Sequence, residues 1–234
     1  MGVPSVRWWK PWMAVDAVIF TTTGRVLQVL THRRAAEPDA GKLALPGVFL
    51  NENEAPDDAA RRALKSKTNL DFSGEVHLVS VENHPQRKDP RGWVITTVFV
   101  NVVPWWELYT ATAEAPGVQL LNVYVPWRDY LGEPVAVDTP AQEPVELAFD
   151  HNYLIGKAVA WLRREAWRTD LLLRLVRPEF TLRELQDVYE AVLGEPLHRT
   201  TFRRRMVDVL KLIEPTGNYR EDQPRRPEVY RRRC

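Results

Sequence analysis

Two groups of residues in this 234-residue chain have the types and spacing to do chemistry. The first runs from Leu45-Pro46-Gly47 through Glu54 and Pro56 to Ala59-Ala60, Arg61-Arg62, Leu64, Thr68 and Leu70, a loop leading into a helix. Positions 63, 66 and 67 stand at i, i+3 and i+4, so they share one helical face. Three carboxylates there would hold Mg²⁺, a hard cation that takes oxygen ligands. Such an ion would neutralise a pyrophosphate and activate water against it. The chain places Ala63, Ser66 and Lys67 on that face: a methyl, a hydroxyl and a fixed positive charge. No catalytic metal and no cofactor are expected there. Glu54 is the one carboxylate of this pattern left at its expected place, either a turn contact or a ligand. Lys67 either pairs with a phosphate in place of the metal or is simply solvated.

The second group is basic. Arg199, Thr200, Thr201, Arg203 and Arg204 stand at the leading end of a helical pattern, and Arg220, Arg225 and Arg226 follow in a polar, proline-rich hairpin. Arg matches guanine O6 and N7 in the major groove, while Thr hydroxyls and further Arg side chains clamp phosphates. A helix carrying them suits double-stranded DNA if it is the second helix of a helix-turn-helix. A solvated basic helix in a structural bundle is the bland alternative.

The elements that must position these groups can be read from periodicity. Residues 14–20 form a mostly buried strand, Thr23-Gly24 a turn and 26–30 its hairpin partner. Residues 55–67 form a helix, with Pro56 at its first position and Asp57 and Asp58 at its positive end. Residues 76–81 and 93–103 are further strands, separated by a charged loop over 84–92. A helix is expected from Val145, with Leu147, Leu154, Ile155, Ala158, Trp161 and Leu162 on its apolar stripe. Three helices are expected beyond it, over 167–176, 181–193 and about 200–213, the last turning Phe202, Met206, Val209 and Leu210 inward. Thr181 and Glu184 form a capping box for the second. Gly194-Glu195-Pro196-Leu197 is a short connection, residues 214–218 turn the chain, and Val229-Tyr230 returns as a strand. That order is a winged helix-turn-helix. The fold class is α+β, an α/β/α sandwich over 1–166 followed by the winged helix over 167–234.

Composition agrees. Hydrophobic residues make up 44% and there are nine tryptophans, enough for globular cores. The single cysteine is Cys234, so neither a disulfide framework nor a cysteine zinc site is expected. No segment is long and apolar enough for a membrane span, and the first twelve residues lack a signal core. A cytoplasmic protein is the simplest reading. Residues 151–234 hold 18 basic and 12 acidic side chains, whereas 1–150 hold 14 and 19. An acidic front and basic rear point to two modules, the second meeting a polyanion. His84 and His151 have no partner at metal-ligand spacing and are read as structural or ligand-facing groups. Trp8-Trp9 and Trp105-Trp106 are read as core or dimer surface.

With both groups in view, the chain resembles the Nudix-related transcriptional regulators of bacteria, of the NrtR type. These are similar to ADP-ribose pyrophosphatases fused to a C-terminal winged helix. The loop-helix is the frame of a Nudix box without its glutamates. The resemblance extends to Arg87-Lys88-Asp89-Pro90-Arg91-Gly92-Trp93-Val94, to Phe149-Asp150-His151-Asn152-Tyr153, and to Phe180-Thr181-Leu182-Arg183-Glu184 with Phe202-Arg203-Arg204. It implies a repressor that has lost hydrolysis, dimerises, binds a DNA operator and senses ADP-ribose or a related nucleotide sugar, in NAD or sugar metabolism. By position in the family pattern, Arg87, Asp89 and Arg91 belong to the effector pocket, with Arg33, Phe49 and Arg62 behind them. Arg62 could equally hold the box loop. Val48 and Asn69 replace family glycines, which leaves the pocket's shape and the ligand's identity open. Two rival readings are an active hydrolase with substitute ligands such as Glu75, Glu82, Asp89 or Glu107, and a nucleotide-binding scaffold whose winged helix meets protein.

Overall fold

A computed structural model describes residues 10–83, 89–124, 132–221 and 226–233. Strand β1 (Trp12–Thr23) and β2 (Val26–Arg33) form a hairpin around Gly24-Arg25, with Gly24 at φ +58°. β3 (Leu43–Ala44) adds to β2 and β4 (Gly47–Phe49) to β1. After helix α1 (Pro56–Thr68) come β5 (His77–Glu82) and β6 (Val94–Val102), the latter parallel to β1. Helix α2 (Trp105–Glu114), β7 (Val118–Val123), β8 (Val137–Asp138) and α3 (His151–Glu165) complete the first module. The sheet runs β5-β6-β1-β2-β7-β8.

Alternation along β1 builds the three layers, because successive strand side chains face opposite sides. Val15, Ala17 and Ile19 pack with Ala59, Ala60 and Leu64 of α1 and Leu108 of α2. Val18 and Phe20 face the other way, onto Leu154, Ile155, Ala158 and Leu162 of α3. That second core continues without a break into Leu172, Leu185, Tyr189 and Phe202 of the C-terminal module.

The C-terminal module consists of β9 (Glu179–Thr181), α4 (Leu182–Leu193), α5 (Arg199–Arg204), β10 (Ile213–Tyr219) and β11 (Glu228–Arg232), with a sheet ordered β10-β11-β9. Thr181 Oγ1 accepts from the Glu184 N–H at 3.2 Å and Glu184 accepts from the Thr181 N–H at 2.6 Å, the expected capping box. Gly194, at φ +70°, ends α4 in the left-handed conformation glycine tolerates best.

Several sequence expectations need correction. The helix expected from Val145 begins at His151, because Leu147 instead bridges to Leu43 beside the sheet and Val145 donates to Val137 O. The helix expected over 167–176 is a 3₁₀ turn over Leu171–Leu175, where four leucines are all buried and Arg174 is exposed. The third helix is shorter than expected: α5 runs into one π turn, Arg205–Val209. That wider turn rotates the 3.6-residue stripe, so Val209 is 64% exposed while Phe202 and Met206 stay inside. Residues 214–218, expected to turn, lie within β10. β9 and α2 were not foreseen. No described helix is long and apolar enough to cross a membrane.

Candidate functional site

A cleft of about 460 Å³ opens where β1, β2, β4, α1 and the start of α3 meet, within the usual size of small-molecule sites. Asp16 of β1 forms its floor. Thr96 Oγ1 donates to Asp16 Oδ2 at 2.7 Å, and His151 Nε2 lies 3.8 Å from Oδ1. His151 Nδ1 accepts the Leu45 N–H at 2.9 Å, so the ring proton sits on Nε2, toward the carboxylate. Gly47 pairs with Asp16 across the strands, and a Cβ there would collide with that carboxylate.

Guanidinium and aromatic planes alternate along one wall. The Arg91 Cζ lies 4.8 Å from the Phe49 ring and 5.2 Å from the Phe149 ring, and the Arg34 Cζ lies 4.6 Å from Phe149 on the same wall. Cations over aromatic faces attract through the ring quadrupole. Asp89 fixes Arg91 in a fork, with Nε–Oδ1 at 2.8 Å and Nη2–Oδ2 at 2.5 Å, and this raises the Arg91 pKa. Arg34 donates to the Pro38 and Ala36 carbonyls. Phe149 has φ +53°, unusual for a bulky residue, and its N–H donates to Asp39 Oδ2 at 3.1 Å. Strained backbone of this kind clusters at ligand sites.

The box residues divide. Arg62 grips Glu54 with two bonds of 2.6 and 2.7 Å and also donates to Phe49 O at 2.8 Å. Asn51 N–H supplies a further donor to Glu54. These contacts, Arg62 first, hold the Glu54 carboxyl at about 2. Arg62 thus braces the loop while still lining the cleft. Ala63 is fully buried and Ser66 is exposed. Lys67 reaches the cleft rim and, among the described residues, has no hydrogen bond or ion pair. Beside it, His32 is held below its ordinary pKa by burial first, then by the charges of Lys67 and Arg34. Among the described residues no three His, Cys, Asp or Glu side chains cluster to hold a metal. A methyl, a hydroxyl and an ammonium do not fit a Mg²⁺ shell.

Of the residues singled out in the sequence, the cleft gathers Phe49, Arg62, Lys67, Asp89 and Arg91. It does not gather Arg33, whose guanidinium donates to Gly41 O at 2.6 Å. Two-residue alternation explains this: His32 and Arg34 face the cleft, so Arg33 faces away. Arg87 lies outside the described residues. Asp16, His32, Arg34 and Phe149 were not foreseen as site residues. A strand reading that placed 32 and 34 on one face of β2 could have flagged His32 and Arg34.

The second candidate surface is the leading end of α5. Phe202 anchors the helix in an aromatic cluster, 5.2 Å from Tyr189 and 6.2 Å from Trp167 between ring centroids. Arg199, Thr200, Thr201, Arg203 and Arg204 all face solvent. The side chains of Arg199, Thr200, Thr201 and Arg204 have no hydrogen bond or ion pair among the described residues. Arg203 is tied: it donates to Tyr230 Oη at 3.3 Å, and Tyr230 donates to Glu228 at 2.5 Å. Arg220 lies back on its own module, donating to Glu179 O at 3.3 Å. Arg226 is exposed at φ +39°, and Arg225 lies outside the described residues.

Comparison with known proteins finds matches along the chain. A family model described as the NrtR DNA-binding winged helix domain matches residues 172–231, and one for the NUDIX domain matches 10–131. The ADPR responsive transcriptional repressor NtrR of Acinetobacter baylyi is 30% identical over 227 residues, covering 95% of this chain and 82% of that protein. An ADP-ribose pyrophosphatase of Methanocaldococcus jannaschii is 30% identical over 153 residues, 64% of this chain and 75% of that one. The crystal structure of Shewanella oneidensis NrtR complexed with a 27mer DNA aligns with a TM-score of 0.72 at 30% identity, over 94% of this chain and 93% of that one.

Proposed function

From the premise that this chain belongs to the Nudix-related regulators carrying an NrtR winged helix, we propose that it is a transcriptional repressor that responds to ADP-ribose or a closely related nucleotide sugar. The first module, residues 1–166, binds the effector and the second, 167–234, binds the operator. The observation that carries this reading is Lys67. An unpaired cation stands where a hydrolase of this fold would need a metal-binding carboxylate, at the rim of a cleft lined by Arg34 and Arg91. Such a site holds a pyrophosphate by charge and has no means to cleave it. Arg91, braced by Asp89, and Lys67 face the phosphates. The Phe49–Phe149 wall offers planar surface to a base, and the Asp16 carboxylate is an acceptor for ribose hydroxyls.

On the DNA side, Arg199, Thr200, Thr201 and Arg204 meet bases and phosphates, Arg203 does so from its Tyr230 support, and the exposed Arg226 is available to the backbone. A homodimer is part of the proposal, because a palindromic operator needs two recognition helices. Ligand acts by linkage: it shifts DNA affinity only by its differential affinity for the arrangements of the two helices.

The test is calorimetric titration with ADP-ribose alongside a Mg²⁺ and Mn²⁺ hydrolysis assay. Saturable binding without turnover is expected. Metal-dependent turnover would replace the regulator by the hydrolase reading, which the archaeal pyrophosphatase relative keeps in view.

A further inference from the structure

Arg25 sits at the tip of the β1–β2 hairpin and reaches across to the C-terminal module. Its Nε donates to Asp187 Oδ1 at 2.8 Å and its Nη2 lies 2.9 Å from Glu190 Oε2, both on α4. Glu190 does more than close an ion pair. Its other oxygen accepts the Leu197 N–H at 2.9 Å and Gln186 Nε2 at 2.7 Å, and Gln186 also donates to Leu197 O at 2.8 Å. Leu197 lies in the turn two residues before Arg199, the first residue of α5. One buried carboxylate therefore joins a sensor-module arginine to the backbone that aims the recognition helix. Burial pushes the Glu190 carboxyl up, but Leu197, Gln186 and the charges of Arg25 and Arg183 outweigh it and keep it ionised.

The other end of the same strand is the cleft. β2 is hydrogen-bonded on both sides, to β1 and β7, so it transmits displacement along its length as a stiff element. His32 and Arg34, at its far end, line the effector cleft. Arg163 of α3 also ties the modules, donating to the Val192 and Leu193 carbonyls at the end of α4.

We infer that Arg25, through Glu190, is the positioning residue that couples effector binding at the His32–Arg34 end of β2 to the orientation of α5. The coupling rests on the functional reading above. It makes Arg25 dispensable for binding either ligand alone and indispensable for communication between them.

The experiment compares wild type, Arg25→Met and Arg25→Lys as full-length proteins. It measures ADP-ribose affinity, operator affinity with and without ADP-ribose, and amide exchange at Leu197 without ligand. In the wild type, ADP-ribose changes operator affinity by about fivefold or more, the usual scale of such coupling. Arg25→Met keeps ADP-ribose affinity and ligand-free operator affinity, but its response to ligand shrinks to within about twofold. Arg25→Lys, able to reach one carboxylate, restores part of it. Leu197 exchanges faster in Arg25→Met. A wild-type response in Arg25→Met overturns the inference, and so does loss of operator binding both with and without ligand. A wild type that ignores ADP-ribose refutes the functional reading instead. Leu197 exchange still decides the Arg25 contact in that case, since an unchanged rate means Arg25 does not hold the turn.

Discussion

The cleft beside β1, β2 and α1 and the leading end of α5 are both rich in arginine, yet they treat charge in opposite ways. In the cleft, Arg91 is forked on Asp89 and stacked on two phenylalanines, Arg62 is locked to Glu54, and Arg34 is spent on backbone carbonyls. On α5, Arg199 and Arg204 stand in solvent without a partner among the described residues. Pre-paired cations in a concave wall select a ligand by shape and cost little to order when it arrives. Free cations on a convex helix fit a polyanion, whose phosphates exchange for released counterions. Affinity at the second surface should therefore be strongly salt-dependent, and at the first much less so.

The largest expected effect comes from the free charges. Replacing Arg199 and Arg204 together by Ala should cost about 100-fold or more in operator affinity, at about 1–3 kcal/mol for each contact. The slope of affinity against salt should flatten in an anisotropy titration. Arg203→Ala should cost less, because its guanidinium is shared with Tyr230. An equal loss from Arg203 would erase the distinction between tied and free cations.

Next is the pre-paired wall. Arg91→Ala removes the stack and the fork together, and should weaken ADP-ribose binding by about tenfold or more, the scale of a charged hydrogen bond. Operator affinity without ligand should stay unchanged. A matching fall in DNA binding would mean that Arg91 supports the fold and not the ligand.

Lys67→Glu tests a cation of the cleft that is unpaired among the described residues. ADP-ribose affinity should drop by about fivefold, roughly 1 kcal/mol for an exposed pair. The same change should raise the His32 pKa toward its ordinary 6.5, followed by NMR, because Lys67 contributes to its depression. His32 binds its proton more weakly folded than unfolded. Native stability is therefore lost as pH falls below about 6.5, and this loss should be smaller in Lys67→Glu. An unmoved His32 would put Lys67 in bulk solvent.

The smallest effect concerns interiors. The cleft floor is a polar network around Asp16, whereas in the winged-helix core the Tyr189 hydroxyl is buried without a hydrogen bond among the described residues. Tyr189→Phe should leave thermal stability unchanged or slightly raised, since an unsatisfied buried hydroxyl is a cost. A drop of more than about 1 kcal/mol would reveal a partner for that hydroxyl.

Local signals were legible in the sequence and distant ones were not. The capping box at Thr181 and Glu184 and Pro56 at the start of α1 depend on neighbours within four residues, and each stands where expected. The cleft is assembled from β1, β2, β4, α1 and the start of α3, far apart in the chain. Arg33 was chosen over Arg34 because only strand register separates their faces. Likewise Leu147 fits a helical stripe by spacing, while its pairing with Leu43 is a contact across about a hundred residues that no local period encodes. The π turn at Arg205–Val209 broke a helical period that had been read straight through.

The most direct test of the account is operator binding by the full-length protein, measured by anisotropy on duplexes from upstream of its own and neighbouring genes, with and without ADP-ribose. The account predicts salt-sensitive, sequence-specific binding whose affinity shifts by about fivefold or more with ligand. Absence of specific binding to any of these duplexes, or specific binding that ADP-ribose and its close relatives leave unmoved, would contradict it.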